Sequence, residues 1–379
     1  MHTGESERPI QRAAILPWRD RAWPIGPDER RSRIEHARAL ALLAGLDALL
    51  VTARDSLRYF TGIDAVALAA DCGCRCGCGT APLALLLPVR GDVWISSART
   101  ADALTAAGLM LPIEARGFHG ASAMAAALAD VLPRGATLAI DGVADIALSR
   151  ALAAQGLVLA DGTPCVTTCR WAKSPAEIAL IGQAAAMALA VQHHAARALR
   201  PGVDAAEVER FIVAAHRAIG ADGPGQASVA FADRGAGTTM ADASHRILGE
   251  RALVRIASAC AVDGYHGAVT RTFCFGDAVA ADLDRFAAVR AAQTDFAAPA
   301  RQPGTVVRTE RRVGLGLGPA LPCGTIGMPM EVSGACYAVA ASIADDDGFT
   351  IAVEDCFHTT ETGPAAFTRP QPALDRPFD

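Results

Sequence analysis

The sequence predicts two domains, an α/β domain followed by an α+β domain. Three observations carry that prediction. Short apolar strand signals alternate with amphipathic helix signals from Pro27 to about residue 168, the rhythm of an α/β domain. Two strongly capped helices then follow one another, starting at Ser174 and Asp204. Beyond them the pattern changes to strands around Val262-Asp263-Gly264, a hairpin turn, and then to a Gly-rich segment and further strands. At 379 residues the chain is long enough to bury two separate cores.

Taken in order, residues 1–26 are rich in Arg, Pro and Trp and read as an extended arm. Pro27 opens an amphipathic helix that runs to Ala44, and Ala48 to Thr52 form a short buried strand. Strands are expected at Leu83–Pro88, Val93–Ser96 and Thr137–Ile140, and helices at Ala121–Val131 and Ile146–Ala153. Thr167 to Arg170 lead into a linker, which divides the chain into domains 27–168 and 169–367.

The second domain opens on Ser174-Pro175-Ala176-Glu177, a capping box with Pro at the first helical position, where its missing N–H costs nothing. Ile178, Ile181, Ala185 and Leu189 continue a helical stripe until Pro201-Gly202 stops it. Asp204 to Glu207 start another helix, with Val208, Phe211, Ile212, Ala215 and Ile219 on one face and Gly220 at its end. Strands follow at Leu253–Cys260 and Val269–Phe275. The Pro-rich tail, residues 368–379, is expected to be loose.

Composition excludes several classes of function. Apolar residues make up 51% and charged residues 20%, which fits an ordered globular chain. A net charge of -5 gives no electrostatic case for nucleic acid, and Trp18, Trp23, Trp94 and Trp171 form no stacking array. Apolar runs such as Ala37 to Leu50 are broken by Arg, Gly and Asp, so no membrane partner is expected. The polar start of the chain lacks a signal core, and the expected location is cytoplasmic. The eleven cysteines are then expected to be reduced thiols. Cys72, Cys74, Cys76 and Cys78, at spacing two among glycines, form either a soft-metal or redox loop or a reduced surface loop.

Several short motifs point further. Lys173-Ser174-Pro175-Ala176-Glu177, Arg246-Ile247-Leu248, Gly264-Tyr265, and Thr270-Arg271-Thr272-Phe273 occur in that order, with Val353-Glu354-Asp355 downstream. Together they resemble the K-S-P-x-E, R-x-L, G-Y-x-x-D-x-T-R-T-F and I-E-D motifs of the pita-bread family, which holds aminopeptidase P, prolidase and creatinase. The resemblance extends from about residue 27 to about 367 and includes Asp55 to Gly62, which look like the N-x-x-Y-L-T-G turn of the family's N-terminal domain. It implies a creatinase-like N-terminal domain, a pita-bread C-terminal domain and a homodimer.

The resemblance also implies where metal ligands should stand. In the metallopeptidases two Asp, one His and two Glu hold a pair of divalent ions, because hard cations need oxygen-rich donor sets. Carried onto this sequence, those positions are Ala257, Ala268, Leu315, Ala340 and Glu354, so one donor of five is kept. Creatinase works without metal and also has Ala at the position of Ala268. Its proton-shuttling His falls on Met240, however, and its Glu at the first Thr of T-R-T is Thr270 here. The peptidases' further His falls near Pro322-Cys323.

What remains is an apolar lining of Met240, Ala257, Ala268, Leu315 and Ala340 around Glu354. Strand alternation puts Glu354, Cys356 and His358 on one face and Arg255, Ala257 and Ala259 on another. An unpaired buried carboxylate is costly, so Arg255 and Arg271 are candidate partners that also line the pocket. Glu354 is the candidate acid/base, with His358, Cys356 or Cys336 assisting; its alternative is a structural Glu between strands. The leading expectation is a metal-independent family member, without cofactor, acting on a small, partly apolar molecule. The alternative is a non-catalytic binding or scaffold protein, and an active Xaa-Pro metallopeptidase comes last.

Overall fold

The computed structural model describes residues 15–64, 83–97, 100–118, 120–142, 144–222, 225–234, 247–295, 306–312, 332–345 and 348–379. The chain divides into two compact units, one spanning Ile25–Trp171 and one formed by Ala172–Asp379 together with the residues up to Pro24.

The first unit is built from α1 (Pro27–Leu43), β1 (Ala48–Val51), α2 (Arg54–Thr61), β2 (Ala84–Pro88), β3 (Trp94–Ser96), α3 (Ala101–Ala106), β4 (Glu114–Arg116), α4 (Ala121–Val131), β5 (Thr137–Asp141), α5 (Ile146–Ala154), β6 (Val158–Asp161) and α6 (Thr163–Cys169). Its six strands lie in the order β4-β3-β2-β1-β5-β6, with β1, β5 and β6 parallel. Leu50, Leu86, Trp94 and Leu138 from the sheet pack with Met124, Leu128, Leu148 and Leu152 from α4 and α5.

Two expectations need correction here. Asp55 to Thr61 belong to helix α2 rather than to a turn. Its last carbonyls are taken by distant cations: Arg30 Nη1 donates to the oxygens of Arg58 and Tyr59 at 2.5 and 3.1 Å, and Arg33 Nη1 to that of Tyr59 at 2.9 Å. Gly62 then closes it in the left-handed region, at φ 89°. Likewise the segment read as the start of a linker is α6, with Pro164 in its first turn and Val166 and Cys169 buried.

The second unit contains α7 (Pro175–Arg197), α8 (Ala205–Ile219), β7 (Gln226–Asp233), β8 (Ala252–Val262), β9 (Tyr265–Phe275), α9 (Ala280–Thr294), β10 (Val306–Arg312), β11 (Cys336–Ala344), β12 (Thr350–Thr360) and β13 (Gly363–Ala366). Seven strands make one sheet in the order β10-β11-β12-β9-β8-β7, with β13 added to β12. The capping box is complete: Ser174 Oγ accepts from Glu177 N at 3.2 Å, and Glu177 Oε2 accepts from Ser174 N at 2.9 Å. Tyr265 donates its hydroxyl to the other oxygen of Glu177 at 2.9 Å, so the helix start and the first residue of β9 share one buried carboxylate.

By length and composition α7 could cross a membrane. Here its Ala184, Met187, Ala188 and Val191 pack against Val254, Ile256, Val269 and Phe273. Gln192 Nε2 reaches Ser258 Oγ at 3.0 Å and Val269 O at 2.7 Å. A side chain at Gly267 would put Cβ 2.2 Å from the backbone N of Ala185, so the contact of α7 with β9 requires glycine there.

The hairpin turns at Asp263 (φ 49°) and Gly264 (φ 78°), the left-handed pair of a two-residue turn. That turn fixes the register, with Val262 opposite Tyr265 and every later pair following. Helix α9 was not foreseen. Its buried Phe286, Val289 and Ala292 have helical spacing, but Asp282 beside them reads as a surface residue. Asp282 is buried because Arg234 Nε pairs with it at 2.8 Å.

The tail is not loose. Leu374 is fully buried, Gln371 Nε2 donates to Thr272 O at 2.6 Å, and the Phe378 ring stacks on His193 at 5.0 Å. The arm also packs on this unit: Trp18 N donates to Ile219 O at 2.9 Å, and Ile15 and Trp18 join its core.

Candidate functional site

The hairpin register and the neighbouring pairings bring three of the sequence-predicted residues into one row. Ala257 on β8 stands opposite Thr270 on β9, Thr270 opposite Glu354 on β12, and Glu354 opposite Ala340 on β11. Directly opposed residues point to the same face. The row is therefore methyl, hydroxyl, carboxyl, methyl across four strands. Glu354 is 8% exposed, and Thr270 Oγ1 donates to its Oε2 at 3.2 Å. Ala257 and Ala340 are half-buried on either side.

Ala268 lies in the next row, opposite Ala259. Beside it β9 and β12 part after a single pairing, and Cys356 bridges the opening. Its Sγ accepts from Ala268 N at 3.4 Å and donates to Ala268 O at 3.3 Å. Ala185, Ala338 and Phe367 pack against the same thiol. Cys356 therefore stands in for the missing backbone ladder and is not available to assist Glu354.

The opposite face carries a second charged set. Arg271 Nη2 meets Asp355 Oδ1 at 2.6 Å, with both side chains fully buried. Gln293 Nε2 donates to the other oxygen of Asp355 at 3.0 Å, and Arg271 Nη1 donates to Glu354 O at 3.2 Å. Burial pushes the Asp355 carboxyl up, and the Arg271 guanidinium pulls it back. This corrects the expectation that Arg271 lines the pocket and pairs with Glu354. Arg271 neighbours Thr270 in sequence, so strand alternation turns it away from the Glu354 row.

Arg255 is on the same face as Ala257, but its guanidinium points elsewhere. Nη1 donates to Thr350 O at 2.9 Å, and the group lies 5.6 Å from the centre of the Phe349 ring. Thr350 is four residues from Glu354, ~13 Å along an extended strand. Arg255 is thus not the partner of Glu354 either, and burial lowers its pKa.

The remaining assistants fail on position. Cys336 is buried, donates to Gly334 O at 3.6 Å, and burial pushes its pKa up to about 12, which keeps the thiol protonated and inert. It stands opposite His358, not Glu354. His358 is half-buried with its ring 4.8 Å from that of Phe367, and burial lowers its pKa. It is also four residues, ~13 Å, along the strand from Glu354. Met240, Leu315 and the run Cys72, Cys74, Cys76 and Cys78 lie outside the described residues. Among the described residues no group of three or more His, Cys, Asp or Glu side chains could hold a metal ion.

Thr270 was missed as the residue that holds Glu354. The turn at Asp263-Gly264 places residue 257 opposite 270 by counting alone, but the pairing of Thr270 with Glu354 is a long-range contact between β9 and β12 that no local signal gives.

With this geometry in place, the chain can be compared with known proteins. Residues 33–171 match the Creatinase/Prolidase N-terminal domain, and residues 179–309 match metallopeptidase family M24. Among solved structures, dipeptidase PepE from Mycobacterium ulcerans superposes with a TM-score of 0.70 at 21% identity, covering 93% of this chain and 99% of its own. A prolidase from Thermococcus sibiricus gives 0.69 at 16%, covering 90% and 97%. The X-Pro aminopeptidase from Thermotoga maritima MSB8 gives 0.68 at 18%, covering 90% and 99%. At these identities the likeness is one of fold. No curated protein sequence matches the chain.

Proposed function

The chain belongs to the M24 peptidase/creatinase family, with a creatinase-like α/β domain followed by a pita-bread domain, and on that premise we propose that the pita-bread domain is a metal-independent site for a small, partly apolar molecule. The observation that carries this reading is the row Ala257–Thr270–Glu354–Ala340, in which one carboxyl is the sole acid.

The family's metal pair does not fit these residues. Two divalent ions require several anionic oxygen donors. The positions that the resemblance assigns to ligands offer, among the described residues, the Glu354 carboxyl and the methyl groups of Ala257, Ala268 and Ala340. Replacement of acids by methyls leaves an apolar wall with one polar anchor, the composition that suits a small ligand bearing an N–H or O–H group. Thr270 fixes the orientation of the Glu354 carboxyl, and Arg271, bonded to Glu354 O and Asp355 behind it, stiffens the strand.

A second reading, binding without catalysis, is favoured by the fate of Cys336, Cys356 and His358. None of the three brings a nucleophile or base to the row. Among the described residues the row then offers what a single carboxyl can do, which is to hold or transfer a proton.

Thermal-shift screening with small amines, amides and alcohols tests the binding claim. A hit should raise the melting temperature of the wild type and lose at least about tenfold in affinity in Glu354→Gln and in Ala257→Leu, which fills the wall. Hits that bind both variants as tightly as the wild type would place the ligand elsewhere. Mass spectrometry of the hit after incubation separates turnover from binding alone.

A further inference from the structure

Away from the Glu354 row, β7 ends the seven-stranded sheet, and among the described residues it pairs with β8 alone. Its outer edge runs beside α8. Val229 N points outward and donates to Glu209 Oε1 at 2.9 Å. In an antiparallel edge strand alternate residues turn both backbone groups the same way, so Ala227 and Phe231 also present theirs to the free edge. Glu209 sits where the carbonyl of a further strand would be.

A shallow groove of about 450 Å³ lies on this side of α8 and meets the strand at Ala227. Ala206, Val213 and Ala227 give it an apolar floor, and Arg210 and Arg217 stand on its rim, both exposed. Neither arginine has an ion-pair partner among the described residues. They are seven residues apart on one helix, ~10 Å along its axis, so both face the same stretch of groove. An unpaired strand edge supplies hydrogen bonds to a peptide backbone, and the charges beside it choose the side chains.

We propose that the free edge of β7, beside α8, is a docking strip for an extended acidic segment of a partner protein. The segment adds as an eighth strand and displaces the Glu209 carboxylate from Val229 N. Its alternate side chains settle on Val213 and Ala227, and its acidic residues pair with Arg210 and Arg217.

Fluorescence anisotropy with a labelled eight-residue peptide of alternating Val and Glu tests this on the full chain. Binding should weaken at least about tenfold in the double variant Arg210→Glu, Arg217→Glu. It should tighten in Glu209→Ala, where the competing carboxylate is gone. A peptide with Lys in place of Glu should not bind. Bound peptide should also slow amide exchange at Ala227 and Phe231. Failure of the acidic peptide to bind either wild type or Glu209→Ala would overturn the proposal, as would affinity unchanged by charge reversal. Self-association that the double variant abolishes would assign the edge to a second copy of the chain and would equally overturn it. All three positions are on the helix surface, and melting curves that match the wild type confirm that the variants fold.

Discussion

Thr270 donates its hydroxyl to Oε2 of Glu354 at 3.2 Å, and this pair is the polar centre of a row whose two ends are the methyls of Ala257 and Ala340. The adjacent residues, Arg271 and Asp355, make the opposite face, where their ion pair is completely buried. One strand segment therefore carries two unlike tasks. Its outward residues form the candidate site, and its inward residues lock the sheet.

The inward lock should be the more fragile to single substitution. Arg271→Met leaves Asp355 buried without its cation, and a loss of about 3–5 kcal/mol is expected. Urea unfolding measures it. The double variant Arg271→Met, Asp355→Leu should recover much of that loss, since no charge is then stranded.

Gly267→Ala should disrupt the packing of α7 on β9. The added Cβ would run into the backbone of Ala184 and Ala185, which cannot yield cheaply. A cost of about 3 kcal/mol or insoluble protein is expected, read by expression yield and melting temperature.

Tyr265→Phe and Ser174→Ala each remove one bond of the Glu177 junction. Each should cost about 1 kcal/mol. Because both bonds converge on Glu177, one at its carboxylate and one at its backbone N–H, the double variant should depart from additivity in denaturant titrations.

Stability should fall in mild acid because of His216. The ring is fully buried and neither nitrogen has a hydrogen-bond partner among the described residues. Burial lowers its pKa from 6.5 to about 4. The unfolded chain therefore binds a proton that the folded chain refuses, and stability present above pH 6.5 drains away as pH falls toward 4. Over that span the loss is about 3 kcal/mol, at 1.36 kcal/mol per unit. Denaturant unfolding between pH 7 and 4 should show this slope, and His216→Leu should flatten it.

Much of the fold is legible in the sequence because its signals are local. The Ser174 box, the Asp263-Gly264 turn and the apolar strands each speak for themselves. Helix α2 is different. It depends on Arg30 and Arg33 reaching its final carbonyls from α1, a long-range contact that no window around Asp55–Gly62 contains. Helix α9 was hidden for a similar reason, since Asp282 is buried through Arg234, far away in the chain. At the site, the motif resemblance located Glu354, Ala257 and Ala340. The roles of Thr270 and Arg271 depend on the long-range pairing of β9 with β12, which the hairpin turn does not fix.

If the Glu354 row works without the family's metal pair, the chain should hold no divalent ion through Glu354. The most direct measurement is metal content, by inductively coupled plasma mass spectrometry, of purified chain equilibrated with Mn, Co or Zn and then desalted. Metal content should be unchanged in Glu354→Ala, since any ion held by the thiols of Cys72, Cys74, Cys76 and Cys78 does not depend on Glu354. Two ions per chain in the wild type, lost in Glu354→Ala, would contradict that expectation.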